Sequence, residues 1–262
     1  MNRLSHIMFA ISLFVGLYSL IYSFSVWLEN PAAIQELLLY YIVGGFVLMV
    51  LVVPILYYKA PHKHAHARTS SNRGAAGALA FVTFCIGSLG GSLVYQWNTG
   101  TPMIGDISIF LGGLLTVAGA LMPDWDIPFL GISRHRNVIF HSVILPFLFV
   151  LMTLVNVGLR IISGYSLAIG AHFEYYLTAL FLLGYASHLY LDIFPSDANP
   201  LEILWRAVDV TSDAPTGLKP LGPIKISKKN ARMWLVGNAT LLVLVAAGLL
   251  SLYFYNLILL VP

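Results

Sequence analysis

Apolar runs long enough to cross a bilayer recur seven times along the chain, separated by short polar stretches. A spanning helix needs about 20 mainly apolar residues to cross roughly 30 Å of hydrocarbon. By that measure the pattern predicts spans at approximately 4–28, 34–58, 75–97, 105–122, 138–162, 173–193 and 232–260. The fourth, GDISIFLGGLLTVAGALM, is the shortest and is rich in glycine, which predicts packing among other helices rather than against lipid. The first ends in SFSVWLEN with no small-x-small cleavage site, so it reads as a retained span and not as a secretory signal. The fold expected is therefore all-α, a polytopic membrane protein.

Composition agrees. Of 262 residues, 58% are hydrophobic and 10% charged, with a mean hydropathy of +0.83. A soluble domain is about 45–50% apolar and about 25% charged, so this chain has too few charges to cover an aqueous surface. The single cysteine, Cys85, lies inside an apolar run and leaves no intrachain disulfide possible.

The formal charge of +3 is small, but its placement orients the chain. With the N-terminus in the cytoplasm and seven alternating spans, the cytoplasmic side holds Arg3, then Lys59, Lys63, Arg68 and Arg73, then Arg134 and Arg136. Arg206, Lys219, Lys225, Lys228, Lys229 and Arg232 complete that side, leaving only Arg160 of the 14 basic residues outside. Positive residues collect in cytoplasmic loops, so the expected topology is N-in, C-out. The cytoplasmic segments are then 59–74, 123–137 and 194–231, and the outer loops are short. No nucleic-acid partner is expected, and the pattern carries no signal of oligomeric state.

No internal repeat or soluble domain is visible. The chain divides into two N-terminal spans with a basic loop (1–74), a helical core (75–200), and a loop plus final span (201–262). The longest loop contains PLEILWRAVDV, where Leu201, Leu204, Trp205 and Val208 recur at helical spacing. It reads either as an amphipathic helix lying in the interface or as an ordinary loop helix packed on the bundle.

Against this apolar background one polar stretch stands out, PDWDIPFLGISRHRNVIFHS, from Pro123 to Ser142. Pro123 stops the fourth span, and Asp124 and Asp126 follow where the chain turns back. The fifth span is expected to begin near Asn137, with His141 and Ser142 in its first turn or two. In the sixth span, GYASHLYLDIF places His188 and Asp192 four residues apart, on one helix face. Ionisable groups in a spanning segment are costly and face an interior partner or a wet cavity. Asp124, His141, His188 and Asp192 are thus expected at one membrane level, where three helix ends converge. Mixed His/Asp ligation suits Zn²⁺, Mn²⁺ or Fe²⁺, and the lack of thiolates excludes a Cys-rich structural zinc site. A hydrogen-bonded His–Asp network holding helices together would use the same residues.

Three nearby residues are candidate catalytic groups. His135 could be a further ligand, a group supporting a ligand, or a general acid. Asp126 could ligate, or could bond a nearby backbone N–H. Arg136, with Arg134, is either part of an ordinary basic loop or a clamp for phosphate or carboxylate.

The ordered blocks PDWD, RHRNVIFHS and HLYLD, each beside an apolar helix, resemble the YdjM-like family of inner-membrane-associated metal-dependent hydrolases. That family's pattern reads roughly PDxD, HRxxTHS and HxxxD. Pro123, Asp124 and Asp126 match the first block; His135, Arg136, His141 and Ser142 the second; His188 and Asp192 the third. The likeness covers roughly residues 105–200. It departs in the spacing of HR and HS, one residue longer here, and in the helix preceding the first block. There the family tends to carry a histidine near the helix start, whereas the third span opens with SSNRGAAG. His64 or His66 of PHKHAHAR, which also holds His62, could substitute, or all three belong to a solvated basic loop. The family is distantly similar to zinc-dependent phospholipase C and related nucleases. That likeness implies one or two divalent ions, zinc first, with Asp124 as the bridging carboxylate if two bind, and a metal-activated water.

The function this implies is metal-dependent hydrolysis at the cytoplasmic face of the inner membrane, on a phosphoester of a membrane lipid or lipid-linked substrate. The alternative is a non-catalytic membrane protein whose His/Asp cluster is a structural metal or hydrogen-bond node and whose loops recruit a partner. A transporter ranks behind both, because no Asp, Glu or Lys lies deep in a span and no repeat is evident. Membrane acid phosphatases need SR, five residues, then HxxxD; here six residues intervene and Leu145 stands at the aspartate position. A retinal protein needs a lysine within the seventh span, which has none.

Overall fold

The structure is a computed structural model describing residues 3–59, 69–100, 109–163, 170–193, 217–221 and 223–259. The segment 201–208 and the histidines at 62, 64 and 66 lie outside the described residues, as does the side chain of Arg134. Among the described residues the regular structure is helical. The helices are α1 (Arg3–Glu29), α2 (Ala33–Lys59), α3 (Thr69–Thr99), α4 (Ile109–Leu121), the short α5 (Asp126–Leu130), α6 (Ile144–Ile162), α7 (Gly170–Leu191) and α8 (Lys228–Leu259). Among the described residues, each of the seven apolar runs contains a helix, the shortest being the 13-residue α4. Three of them are long and apolar enough to cross a membrane, over His6–Phe24, Ala33–Pro54 and Lys228–Phe254, and Ile144–Leu159 is a shorter apolar helix. Val50, Met152 and Leu244 are 64, 70 and 64% exposed. A helix that is apolar on its outward faces as well as its packed one suits hydrocarbon, not water.

The chain forms two units. One comprises α1 from Val15 onward with α2 and α3; the other comprises α1 up to Phe14 with the elements from α4 to α8. In the first unit Tyr22, Val26, Leu37 and Tyr95 form a small core, and Tyr41 hydrogen-bonds Ser19 and Ser23. α3, read from sequence with the residues that follow it, packs on α2.

The second unit carries the polar cluster. Its core runs along α7, through Ala179, Leu182, Tyr185 and Leu189, against Leu235, Ala239 and Leu242 of α8. On its other side α7 meets α4 almost backbone to backbone. A Cβ on Gly119 would collide with the carbonyl of Phe181, and one on Gly184 with the carbonyl of Thr116. Only glycine allows this approach, and it sets the depth at which the ends of α4 and α7 meet.

One expected boundary is wrong. α6 begins at Ile144, not near Asn137, and residues 138–143 are not helical. His141 and Ser142 therefore precede the helix. Ser142 stands just before its first turn, its Oγ accepting the Ile144 N–H at 3.2 Å, one of the donors a helix start leaves open. The signal was Pro146. Within a helix started at Asn137 it would be an interior proline, unable to donate to the preceding turn; in the first turn of α6 it loses nothing.

Candidate metal centre

Three short segments supply the site. After α4, Pro123 and Asp124 lie in a 3-10 turn over Met122–Trp125, buried with Asp126 at the start of α5. The connection 135–143 then threads back. His188 is in the last turn of α7, and Asp192 follows it directly, its N–H bonded to the His188 carbonyl at 3.0 Å. Asp124, His141, His188 and Asp192 lie together in the structure, and all four are buried.

The irregular 137–143 stretch is held from outside itself. The Asn137 N–H donates to Asp126 Oδ2 at 2.9 Å, and the Asn137 side-chain oxygen accepts the Ile139 N–H. Tyr185 donates its hydroxyl to the Phe140 carbonyl. From α8, Trp234 Nε1 donates to the His141 carbonyl at 3.1 Å, and Asn238 Oδ1 accepts the Val143 N–H at 2.9 Å. Backbone groups that a helix would have satisfied are met by side chains. Arg136 has a positive φ of 63°, a region most side chains avoid. Its carbonyl accepts the Lys219 N–H, and Val138 donates to the Lys219 carbonyl, so the segment after Gly217 is paired to this loop.

The histidine tautomers follow from their partners. His188 Nδ1 lies 2.6 Å from the Ala120 carbonyl, a contact made possible by the close α4–α7 approach. His141 Nδ1 lies 3.1 Å from the Asn137 carbonyl. A carbonyl only accepts, so each Nδ1 carries a proton and donates, which leaves each Nε2 as the atom that could coordinate an ion. Both Nε2 atoms are buried and neither makes a well-aligned hydrogen bond. They face carboxylates instead: His141 Nε2 is 3.1 Å and His188 Nε2 3.5 Å from Asp192 Oδ2, and His188 Nε2 is 3.8 Å from Asp124 Oδ1.

Bare imidazole nitrogens facing carboxylate oxygens repel unless a positive charge lies between them. Donors bound at about 2.0–2.1 Å around a tetrahedral ion sit about 3.3–3.4 Å apart, within the range of these spacings. Among the described residues, three buried carboxylates, Asp124, Asp126 and Asp192, are accompanied by one buried guanidinium, that of Arg136 at Asp192, so with neutral imidazoles two negative charges there are uncompensated, a costly state in a buried place. The residues fit a divalent cation, and Asp124, His141 and His188 form one set of donors all within 4.8 Å of one another.

The candidate catalytic residues surround that set. Asp126 is fully buried, and its oxygens accept from His135 Nδ1 at 3.0 Å and from the Asn137 N–H. Burial alone would raise its carboxyl, but the His135 and Asn137 hydrogen bonds and the nearby His141 hold it below the ordinary value. It thus bonds a nearby backbone N–H, that of Asn137, and holds the His135 ring. The His135 side chain is 34% exposed, and its Nε2 is 3.9 Å from Asp124 Oδ1. Arg136 is buried, with Nη2 3.1 Å from Asp192 Oδ1.

One residue was missed. His6, in the first turn of α1, is buried and stacks on His188, with ring centroids 3.8 Å apart and planes inclined by 12°. Its Nε2 is 3.7 Å from Asp192 Oδ1, and His6, His188 and Asp192 form a second donor set. Asp192 Oδ1 already receives Arg136, so Oδ2 is the better ligand atom and His6 forms the wall behind His188. Its signal was present: an ionisable side chain one turn into an apolar span marks a functional position.

With the site in view, the comparison with known families decides the assignment. A family model described as YdjM inner membrane protein matches residues 80–258. The chain belongs to the YdjM family. It is accordingly an inner membrane protein, and the PDWD, RHRNVIFHS and HLYLD blocks all fall inside the match. His6 lies outside it. No curated protein and no solved structure matches the chain.

Proposed function

We propose that this YdjM-family protein is a membrane-bound metal-dependent hydrolase. Its site faces the cytoplasm, and it acts on a phosphoester of a membrane lipid or lipid-linked substrate. The observation that carries the reading is the pair of buried Nε2 atoms of His141 and His188, each with its Nδ1–H committed to a backbone carbonyl and its lone pair facing a carboxylate. Asp124, His141, His188 and Asp192 would hold the ion, and zinc suits four N/O donors at this spacing. When bound, such an ion acts as a Lewis acid and lowers the pKa of a coordinated water.

The chain's own groups supply the rest. Arg136 neutralises one oxygen of Asp192 and fixes the other toward the histidines. Asp126 holds the His135 Nδ1–H, so His135 Nε2 is presented at the partly open side of the site, where it can take or give a proton. The engagement of Arg136 with Asp192 supports a positioning role in place of a phosphate clamp. With the seven spans and inside N-terminus expected from the apolar runs and the basic residues, this cluster would lie at headgroup depth on the cytoplasmic side, where a lipid can present its phosphate without leaving the bilayer.

Metal analysis of detergent-purified protein tests the reading. About one or two equivalents are expected in the wild type, lost in folded His188→Ala and Asp192→Ala, with metal-dependent phosphoester turnover lost in parallel. A wild type that takes up neither zinc nor manganese overturns it. That outcome leaves a His/Asp polar node, the reading favoured by the Arg136–Asp192 pair.

A further inference from the structure

The N-terminal end of α8 has the wrong charges for an isolated helix. It opens with Lys228 and Lys229 and has no acidic residue in its first turn. The helix dipole places partial positive charge there, so cations are unfavourable and an anion is favoured. Lys225 adds a third basic residue, and all three lysines are exposed.

Beside this basic end runs a groove of about 300 Å³ lined by Ile226, Asn230, Met233, Trp234, Gly237 and Asn238. Lys229, Met233 and Gly237 are spaced i, i+4 and i+8, one row along the helix. A Cβ on Gly237 would meet nothing within 4 Å, and Met233 is 71% exposed. The row thus passes from a charged head to an unfilled apolar track inside the stretch Lys228–Phe254 that is able to span the membrane. The opposite wall is rigid, because Trp234 and Asn238 are bonded to the backbone of His141 and Val143.

We propose that this end of α8 binds an anionic phospholipid of the surrounding bilayer. Its phosphate lies against Lys225, Lys228 and Lys229, and an acyl chain lies along Met233 and Gly237. A polybasic segment next to a spanning helix recognises anionic lipid by charge; the groove adds a fixed seat. The two residues forming the wall also hold the backbone of His141 and Val143, so an occupied groove would steady the loop that carries His141. The proposal requires neither bound metal nor turnover.

The test is lipid retention by the full-length protein in nanodiscs of mixed phosphatidylglycerol and phosphatidylcholine, read by native mass spectrometry. Retained lipid should be enriched in phosphatidylglycerol, and Lys225→Gln/Lys229→Gln should reduce the enrichment roughly fivefold per lysine. Gly237→Leu, which fills the track without changing charge, should also reduce it. Lys63→Gln/Arg68→Gln, which removes the same charge elsewhere on the expected cytoplasmic side, should leave it unchanged. No phosphatidylglycerol preference in the wild type overturns the proposal. So does equal loss in the Lys63/Arg68 pair, or retention unaffected by either the lysine pair or Gly237→Leu.

Discussion

His141 turns its Nε2 to within 3.1 Å of Asp192 Oδ2, while its Nδ1 proton is committed on the opposite edge of the ring to the carbonyl of Asn137. The two residues are brought together from a loop and a helix end. Their approach makes sense energetically when a positive charge lies between them. The same arrangement, with Ala120 as the acceptor, orients His188.

Metal binding should therefore weaken as the solution is acidified. Imidazole ligands must be unprotonated, so each ligand that has to release a proton lowers the apparent affinity as pH falls. Titration with zinc between pH 8 and pH 5 should show affinity falling, and steeply if both histidines ligate. A pH-independent affinity would exclude imidazole ligands.

Asp126→Asn should leave the ligands in place but loosen their support. It keeps an acceptor oxygen but loses the charge that holds His135 Nδ1–H and the Asn137 N–H. Loss of such supporting groups costs about 10–100-fold in metal affinity. A competitive zinc titration of the folded variant checks this; an unchanged affinity would show that Asp126 serves only the backbone.

The same carboxylate makes a pH-dependent contribution to folding. Its pKa is below the ordinary 3.8, so the folded state binds fewer protons there than the unfolded state. The stabilisation is complete above about pH 4 and is lost as pH falls through the lower folded value. Thermal melts of metal-free protein between pH 6 and pH 3 should show a smaller acid-induced drop for Asp126→Asn than for the wild type.

Trp234→Phe removes the donor to the His141 carbonyl, and Asn238→Leu removes the acceptor of the Val143 N–H. Leaving a buried backbone group unsatisfied costs about 1–3 kcal/mol. Each variant should melt at a lower temperature than the wild type and bind zinc more weakly. A Trp234→Phe protein with unchanged melting and zinc affinity would show that the loop holds its shape without α8.

Gly184→Leu should be the most damaging single change away from the ligands. Any side chain there meets the Thr116 carbonyl, so α7 must move off α4 and His188 Nδ1 loses Ala120. The expected result is a sharp fall in folded yield, measured by size-exclusion chromatography in detergent, with Gly184→Ala intermediate.

Much of this was legible along the chain because helices are local. Apolar runs located the long helices of the described residues, since each helix satisfies its own backbone and needs only a run of suitable length. The i, i+4 relation of His188 and Asp192 follows from helical geometry alone. Asp124 could be placed beside them because Pro123 ends α4 at the same level.

What tertiary structure decided was everything set by partners distant in sequence. His6 joins His188 across 182 positions, and only the packing of α1 brings their rings together. The 138–143 stretch is apolar enough to read as helix. It stays unwound because Tyr185, Trp234 and Asn238 take over its backbone hydrogen bonds. The roles of Asp126 and Arg136 were open for the same reason. A carboxylate or guanidinium can serve a metal, a substrate or the fold, and the choice depends on which groups the folded chain places within 3 Å of it. Sequence by itself determined the helices and the chemistry of the side chains at their ends; tertiary packing determined which nitrogen of each histidine faces inward and what it faces.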